Sequence, residues 1–214
     1  MLLIQKAYAG VRVRVLCDAV GSRTLYVSPV TDEMQRAGIE LLFFNPITPW
    51  WVHRVASWFL RDHRKIMIID GERGFTGGVG IESPMKGWRD THLEMSGPTV
   101  ALMEQAFERM WQETKRSERF IRFPRPAAES KDFNFLTNSP YLRQRFVYHL
   151  LLAAIKGAQN YIYLETPYFV PNRKLFRALK RARRRGVDVR LVLPLHSDHP
   201  LVDLASQSYF TALL

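Results

Sequence analysis

A histidine and a lysine two residues apart, His63 and Lys65, are the side chains of this sequence best suited to chemistry on a phosphate. In a β-strand, alternate side chains point to the same face, so the two groups would lie about 6 to 7 Å apart and could hold one phosphate between them. Near neutral pH an imidazole can attack phosphorus or protonate a leaving oxygen, and an ammonium can stabilise charge on the non-bridging oxygens. The pair therefore predicts phosphodiester chemistry.

Three further residues follow this pair at short distances along the chain: Asp70, Gly77 and Gly78. Asp-Gly between two apolar runs is typical of a hairpin turn, and alternation places Asp70 on the face opposite His63, so we expect a supporting, structural role for it. Two roles stay open for the glycine pair. They are either turn residues or positions where backbone amides approach a phosphate closely.

The segment HRKIMIID, followed by six residues and GG, resembles the signature of the phospholipase D superfamily: His, any residue, Lys, four residues, Asp, six residues and a glycine pair. The resemblance implies that His63, Lys65 and Asp70 are catalytic and that Gly77 and Gly78 bind substrate. The signature usually continues Gly-Gly-x-Asn, whereas this chain has Gly80 at that position. Another group must therefore replace the missing side-chain amide.

Members of the superfamily usually have an acidic residue shortly downstream that hydrogen-bonds the catalytic histidine. By this resemblance Asp90 is the supporting residue, with Glu94 as a second choice, and it would fix the tautomer of the imidazole. A solvated Asp90 at the start of a strand is the alternative. We interpret His92, in the same strand, as structural.

Longer segments resemble the cardiolipin synthase branch of the superfamily: RDHRKIMIIDG, DTHLEMSGP, and ETPYFVP followed by a basic helix and SDHPLV. In that branch ETPYFVP lies near the active site, which makes Tyr168 and Phe169 candidates for the substrate wall. The alternative is a stiff loop between Pro167 and Pro171 with buried aromatic rings, which we favour for Phe169.

The resemblance also implies a reaction and its partners. One histidine of a pair takes a phosphatidyl group from a phospholipid as a phosphohistidine, the other protonates the departing alcohol, and a second alcohol then attacks. Phosphatidylglycerol as acceptor gives cardiolipin, whereas water gives phosphatidic acid. The implied partners are an anionic phospholipid and a peripheral membrane surface, the bacterial inner membrane, and not a nucleic acid. We expect no cofactor and no metal, because the sequence has no clustered His, Cys and carboxylate set with metal-ligand spacing.

The charge of the chain leaves other functions open. Thirty-one Lys and Arg against 20 Asp and Glu give a net charge of +11, which favours polyanionic partners without choosing among them. One alternative is a phospholipase D or nuclease-type phosphodiesterase of the same superfamily. Another is a non-catalytic fragment that binds anionic lipid or nucleic acid, for which Gly80 is the main support.

Segments with strand and helix patterns alternate along the chain, which predicts an α/β fold with a mixed sheet flanked by helices, as in phospholipase D. Strands are expected at Val11–Cys17 and at 161–165. Helices are expected at 98–114, along an apolar stripe from Val147 to Ala158, and between Asn172 and Gly186.

The chain is also expected to contain two related halves. Residues 115–130 combine charge, two prolines and no periodicity, which predicts a linker between a first half, 1–114, and the start of a second, 131–214. GVRVRVLCDAVGS at 10–22 parallels GVDVRLVLPLHSD at 186–198, an offset of 176 residues that indicates either duplication, with a pseudo-two-fold axis, or a chance similarity of two strands. Duplication would put a second His-x-Lys near position 239, so we expect this chain to be an incomplete enzyme that is inactive alone.

Two segments have patterns suited to a membrane surface. The basic helix 173–185 could rest on anionic lipid or could pack on the sheet with a solvated cationic face. Trp50, Trp51, Trp58 and Phe59 could form an interfacial cluster or part of the core. No apolar stretch approaches the roughly 20 residues that cross a bilayer, so any contact with lipid is expected to be peripheral.

Overall fold

The computed structural model describes residues 2–46, 60–80, 89–116, 135–138 and 146–213, which form two compact units, Met1–Arg143 and Gln144–Leu214. Helices alternate with both parallel and antiparallel strands, so the predicted α/β class is confirmed. The aromatic cluster at 50–59 and most of the predicted linker lie outside the described residues. The assignment of residues 1–114 and 131–214 to phospholipase D-like halves stays a prediction.

The first unit contains four described helices and five strands. The helices are α1 (Leu2–Tyr8), α2 (Arg23–Tyr26), α3 (Pro29–Arg36) and α4 (Pro98–Arg116). The strands are β1 (Arg14–Asp18), β2 (Glu40–Phe44), β3 (Ile66–Ile69), β4 (Arg73–Gly77) and β5 (His92–Ser96).

Strands β1 and β2 of the first unit are parallel, with Arg14 opposite Glu40 and Asp18 opposite Phe44. Their connection contains α3, whose N-cap Ser28 accepts a hydrogen bond from Val30 N and which has proline at its first position. The prediction that β1 begins at Val11 is wrong. Val11 N instead donates to Lys6 O and closes the end of α1, so the chain joins the ladder only at Arg14.

Strands β3, β4 and β5 form an antiparallel sheet with β4 at its centre. Helix α4 packs against all three of these strands and against β2. It begins at Pro98, as predicted, and buries Met103, Ala106, Met110 and Trp111 of the expected stripe. This helix therefore supports the antiparallel sheet through contacts with all three of its strands.

The second unit is built around β6 (Tyr161–Glu165) and β7 (Asp188–Val192), a parallel pair joined through α6 (Arg173–Arg184). Helix α6 follows the predicted caps: Asn172 Oδ1 accepts from Lys174 N and Leu175 N at 3.0 Å, and Gly186 follows the helix with φ +91°. The other helices are α5 (Phe146–Gly157), α7 (Pro200–Gln207) and α8 (Phe210–Leu213).

The predicted apolar stripe of α5 has the wrong phase. The helix buries Leu152 and Ile155, which pack with residues of α6 and the strands, and it leaves Val147, Leu150 and Leu151 exposed. Three consecutive leucines permit several phases, and packing selected the one in which Leu152 and Ile155 share a face. Within the described ranges, no helix combines the length and the apolar character that crossing a bilayer requires.

The repeat seen in the sequence is also present in the backbone. After α1, Ala9 N, Gly10 N and Val11 N donate to Gln5 O, Ala7 O and Lys6 O. After α6, the residues 176 positions later make the same three bonds: Arg185 N, Gly186 N and Val187 N donate to Arg181 O, Arg183 O and Ala182 O. The two glycines have φ of +87° and +91°. Residues 10 and 186 therefore end a helix and precede a strand in the same way, as does Gly38 after α3.

Candidate active site

The antiparallel sheet of the first unit brings most of the predicted site residues to one of its ends. In an antiparallel sheet, the start of β3, the end of β4 and the start of β5 lie at the same end. His63 and Lys65 precede β3, Gly77 and Gly78 lie at the end of β4, and Asp90 precedes β5. The topology thus gathers five of the predicted residues.

The side chains of His63 and Lys65 converge, although the strand that was expected to carry them begins only at Ile66. Lys65 Nζ lies 3.4 Å from His63 Nδ1 and donates to the His63 carbonyl oxygen at 3.2 Å. The β3–β4 ladder stops at the pair Ile66–Thr76, just before the glycines, so the two residues lie outside it. Within the described residues, the hydrogen bonds of Lys65 are with His63 alone, which leaves its ammonium available to an anion.

A cavity of about 440 Å³ opens beside this pair. It is lined by Arg61, Asp62, His63, Arg64, Lys65, Ile66, Thr76, Gly77 and residues 135–138. Three of these residues carry permanent positive charge and one is an acid, so the cavity suits a negatively charged group such as a phosphate. His63 is exposed to solvent here.

Asp62 and Arg64 form a half-buried ion pair beneath the two site residues. Arg64 Nε lies 3.2 Å from Asp62 Oδ1, with side chains that are 17% and 13% exposed, and Arg64 Nη2 donates to Asn138 O at 3.1 Å. Burial raises the pKa of Asp62 above its ordinary value, although the Arg64 guanidinium acts in the opposite direction. Asp62 and Arg64 line the cavity too, but they are held by each other, whereas His63 beside them is exposed.

Asp18, the last residue of β1, binds residues 61 and 62 and so connects the site segment to the parallel strand pair. Its carboxylate accepts from Val20 N and Gly21 N, and its Oδ2 also accepts from Asp62 N at 3.0 Å. Arg61 Nη1 lies 3.4 Å from Asp18 Oδ1 and donates to Asn45 O at 3.0 Å. The ends of β1 and β2 therefore position the chain that enters β3.

Asp70 lies at the opposite end of β3 from the site. Asp70 and Gly71 both have positive φ, +54° and +69°, and Glu72 N donates to Ile69 O, so the predicted hairpin turn is confirmed. Five residues of extended chain put Asp70 about 16 Å from Lys65. The structure does not bring Asp70 together with His63, and its catalytic role stays a prediction.

Close packing requires glycine at position 77, where a Cβ would lie 2.5 Å from the backbone atom Thr91 O. At Gly78 a Cβ would meet the Asp90 carboxylate, which would have to move. Gly77 is the last residue of β4 and not a turn residue, whereas Gly78 lies at a bend just after the strand, so both roles stay open for Gly78. Gly77 also lines the cavity, so its backbone is open to a ligand.

The two acidic candidates near β5 differ in their contacts. Asp90 lies against Gly78, and its Oδ1 accepts from Thr91 N at 2.6 Å. Glu94 accepts from Arg73 Nε at 2.8 Å and is engaged in that cross-strand pair. Within the described residues, neither carboxylate contacts His63, so the supporting role of Asp90 stays a prediction.

The predicted substrate-wall residues lie in the second unit, after the carboxyl end of β6. Tyr168 is 38% exposed, and its hydroxyl donates to Asp198, a hydrogen bond that raises the pKa of Tyr168 to about 12. Its ring also lies beside that of His199. Phe169 is buried in the core of the unit, as favoured from the sequence.

Sequence reasoning missed the residues that support the site rather than those that face it. Asp18, Asp62 and Arg64 belong to this group. The buried Glu113 of α4 interacts with Arg64 electrostatically: burial raises the pKa of Glu113, and Arg64 is the largest influence in the opposite direction. The signal for Asp62 and Arg64 was present, because the alternation that unites His63 with Lys65 also unites their neighbours. Nothing local to the sequence links Asp18 or Glu113 to the site.

Comparison with known proteins gives a consistent set of relatives. The profile of a family described as cardiolipin synthase, PLD-like domain, matches residues 151–214. Cardiolipin synthase 1 of Bacillus cereus is 35% identical over 99% of this chain. The probable cardiolipin synthase YwiE of Bacillus subtilis is 34% identical over the whole chain, and cardiolipin synthase A of Pseudomonas syringae is 34% identical over 97% of it.

These similarities cover the chain far more fully than they cover the relatives. The chain spans 45% of the Bacillus cereus protein and 44% of the other two. The similarity therefore includes the first-unit site as well as the segment matched by the family profile.

Proposed function

We propose that this chain, which belongs to the cardiolipin synthase-like branch of the phospholipase D superfamily, contributes one half-site to phosphatidyl transfer. The observation that carries the proposal is the convergence of His63 and Lys65 at a cationic cavity. We infer further that phosphatidylglycerol is the acceptor and cardiolipin the product, by analogy with the named relatives.

In the first step a nitrogen of His63 attacks the phosphorus of a phospholipid. The new P–N bond forms as the bond from phosphorus to the headgroup oxygen breaks, and the departing alkoxide takes a proton from the second histidine of the pair. Lys65 stabilises the charge on the non-bridging oxygens. The phosphatidyl group is then carried on His63.

In the second step an alcohol replaces the histidine. The second histidine, now neutral, removes the alcohol proton as the oxygen attacks phosphorus, and the P–N bond breaks to restore His63. A hydroxyl of phosphatidylglycerol gives cardiolipin, whereas water gives phosphatidic acid. Transfer thus depends on admitting a lipid alcohol while excluding water.

Attack by Nε2 requires that Nδ1 carry the proton, because only the unprotonated nitrogen is nucleophilic. We propose that Asp90 supplies the acceptor for that proton, since it lies at the same end of the sheet. A bound phosphate would draw Lys65 Nζ away from Nδ1, where it lies now. The substrate itself would then favour the reactive tautomer.

The substrate of this reaction lies in a membrane, so we propose that the protein works at the surface of the bacterial inner membrane. We also propose that the protein has two related halves and that turnover needs a second His-x-Lys half-site beside this one. The sequence similarity of residues 10–22 and 186–198 supports such a duplication.

Trapping the intermediate tests the proposal. The protein is incubated with phosphatidylglycerol vesicles, quenched with denaturant at neutral pH because phosphohistidine is labile in acid, and digested for mass spectrometry. A phosphatidyl adduct on His63 and cardiolipin in the lipid extract are expected. His63→Asn should abolish both, whereas His149→Asn, the same change at an exposed residue of α5, should alter neither.

Other products would identify the alternatives. Phosphatidic acid without cardiolipin would indicate a phospholipase D, and cleavage of DNA without any lipid product would indicate a nuclease. Lipid binding with neither adduct nor product would contradict catalysis altogether.

A further inference from the structure

We infer that a cationic groove between α5 and α6 docks the second unit on the headgroup phosphates of an anionic membrane surface. The groove encloses about 350 Å³. Its rim carries five positive side chains: Lys156, Lys174, Arg177, Arg181 and Arg185. This surface adds to the proposed transfer reaction and does not depend on it, because it lies on elements that carry none of the residues proposed to react.

Helical spacing explains why the charges collect in one place. Lys174, Arg177, Arg181 and Arg185 follow one another at intervals of three and four residues, so they form a single ridge on α6. Lys156 of α5 faces them across the groove. The other basic residues of α6, Arg173, Lys180, Arg183 and Arg184, lie outside the groove.

The cations of the groove are open to an external anion. Within the described residues, no salt bridge involves Lys156, Lys174, Arg177 or Arg181; those of this unit use Arg190 and His199 instead. Arg185 Nη2 donates to Ala158 O at 3.0 Å and so ties the two helices together. Mutual repulsion of the remaining four charges is relieved when phosphates bind among them.

Apolar surface on the same helices favours lipid over nucleic acid. The groove floor consists of Leu152 and Ala178, and α5 also exposes Leu150 and Leu151 outside the groove, which are 40% and 42% accessible. Cations beside exposed leucines are the combination that binds the interface of an anionic bilayer. A nucleic acid would gain nothing from the leucines, because its outer surface is charged.

Vesicle sedimentation with matched double variants tests the inference. The probe is vesicles of equimolar phosphatidylcholine and phosphatidylglycerol, compared with phosphatidylcholine alone. All proteins carry His63→Asn, so that turnover cannot alter the lipid and the result is independent of the proposed reaction. The groove variant is Lys174→Gln with Arg181→Gln, and the control is Lys180→Gln with Arg183→Gln, an equal loss of charge on the far edge of α6.

The groove variant should bind the anionic vesicles about thirtyfold more weakly, because each basic residue at an anionic surface contributes about fivefold. The control should lose less than about threefold, since screening limits charges that face away. Equal losses in both variants, or no loss in the groove variant, would overturn the inference. So would a groove variant that lost affinity for duplex DNA but not for vesicles.

Far-ultraviolet circular dichroism verifies that each variant is folded. If the first groove variant fails to fold, Lys156→Gln with Arg177→Gln removes two other charges of the same groove and should give the same thirtyfold loss.

Discussion

At the scale of single residues, the five-residue segment RDHRK performs two tasks at once. All five members line the cavity, and Arg61 also reaches Asp18. Asp62 and Arg64 in addition pair with each other. Because a half-buried ion pair tolerates little movement of either partner, it fixes the backbone from which His63 and Lys65 project.

Lys65 can be tested separately from His63. Lys65→Ala removes the donor to the non-bridging oxygens, so we expect kcat to fall about 10²- to 10³-fold while the fold is kept. Lys65→Arg keeps the charge and should recover part of the rate, and Lys6→Ala, an exposed lysine of α1, should have no effect. Steady-state kinetics on phosphatidylglycerol vesicles measures the series. A Lys65→Ala variant with a normal rate would remove this lysine from the mechanism.

Glu113 is a buried acid whose charge should destabilise the fold. It is 6% exposed, and within the described residues its Oε2 has no hydrogen-bond partner. Since burial raises the pKa of Glu113, the folded state favours the protonated acid, and stability is lost as pH rises from the ordinary value through the raised one. Glu113→Gln should therefore increase the free energy of unfolding by about 1 kcal/mol at neutral pH.

Urea denaturation at two pH values tests this sign. The gain from Glu113→Gln should vanish below the ordinary glutamate pKa, because wild-type Glu113 is then neutral in both states. Glu104→Gln, an exposed glutamate of α4, should change stability little at either pH. A loss of stability in Glu113→Gln at neutral pH would mean that attraction to the neighbouring arginines outweighs burial.

At the scale of elements, strands β4 and β5 pack so closely at one end that Gly77 has no room for a side chain. The Cβ of Gly77→Ala would lie 2.5 Å from Thr91 O, a backbone atom that cannot turn aside. We expect a loss of about 1 to 3 kcal/mol in the free energy of unfolding. Gly157→Ala, where an added Cβ meets nothing within 4 Å at the end of α5, should be neutral or stabilising. Thermal denaturation of both variants provides the comparison, and equal stability of the two would refute the steric argument.

The elements predicted most accurately have local determinants. The turn at Asp70 and Gly71, the start of α4 at Pro98 and the caps of α6 each depend on a few adjacent residues, and the structure confirms them. The start of β1 and the phase of α5 were predicted wrongly because packing decides them. Val11 is used to close α1, and three successive leucines do not define which of them is buried.

The same division applies to the site. The convergence of His63 and Lys65 was predicted from their two-residue spacing, although both residues precede β3 and lie outside its ladder. The residues that hold this segment in place could not be predicted in that way. Asp18 is 44 residues from the Asp62 amide that it binds, and Glu113 lies on α4, far along the chain. Sequence alternation therefore predicts which groups face a ligand, while their supports become visible only through tertiary contacts.

At the scale of the whole molecule, both units use the same device to pass from a helix into a parallel strand. Three backbone bonds and one glycine recur 176 residues apart, although the flanking helices differ in length, Leu2–Tyr8 and Arg173–Arg184. The same bonds also follow α3, where Ala37 N, Gly38 N and Ile39 N donate to Glu33 O, Gln35 O and Met34 O and Gly38 has φ +85°. This is a common glycine helix end, so the proposal of two related halves depends on the sequence repeat and not on this geometry.

If the two helix ends are equivalent, matching substitutions should cost the same. Gly10 and Gly186 have φ of +87° and +91°, and an added Cβ meets nothing within 4 Å at either, so only backbone strain is involved. We expect Gly10→Ala and Gly186→Ala each to lower the free energy of unfolding by about 1 kcal/mol. Asparagine, which tolerates the left-handed conformation better, should cost less at both positions. Urea denaturation measures all four variants. A loss of stability at one glycine and none at the other would show that the two helix ends contribute differently to stability, despite their identical hydrogen bonds.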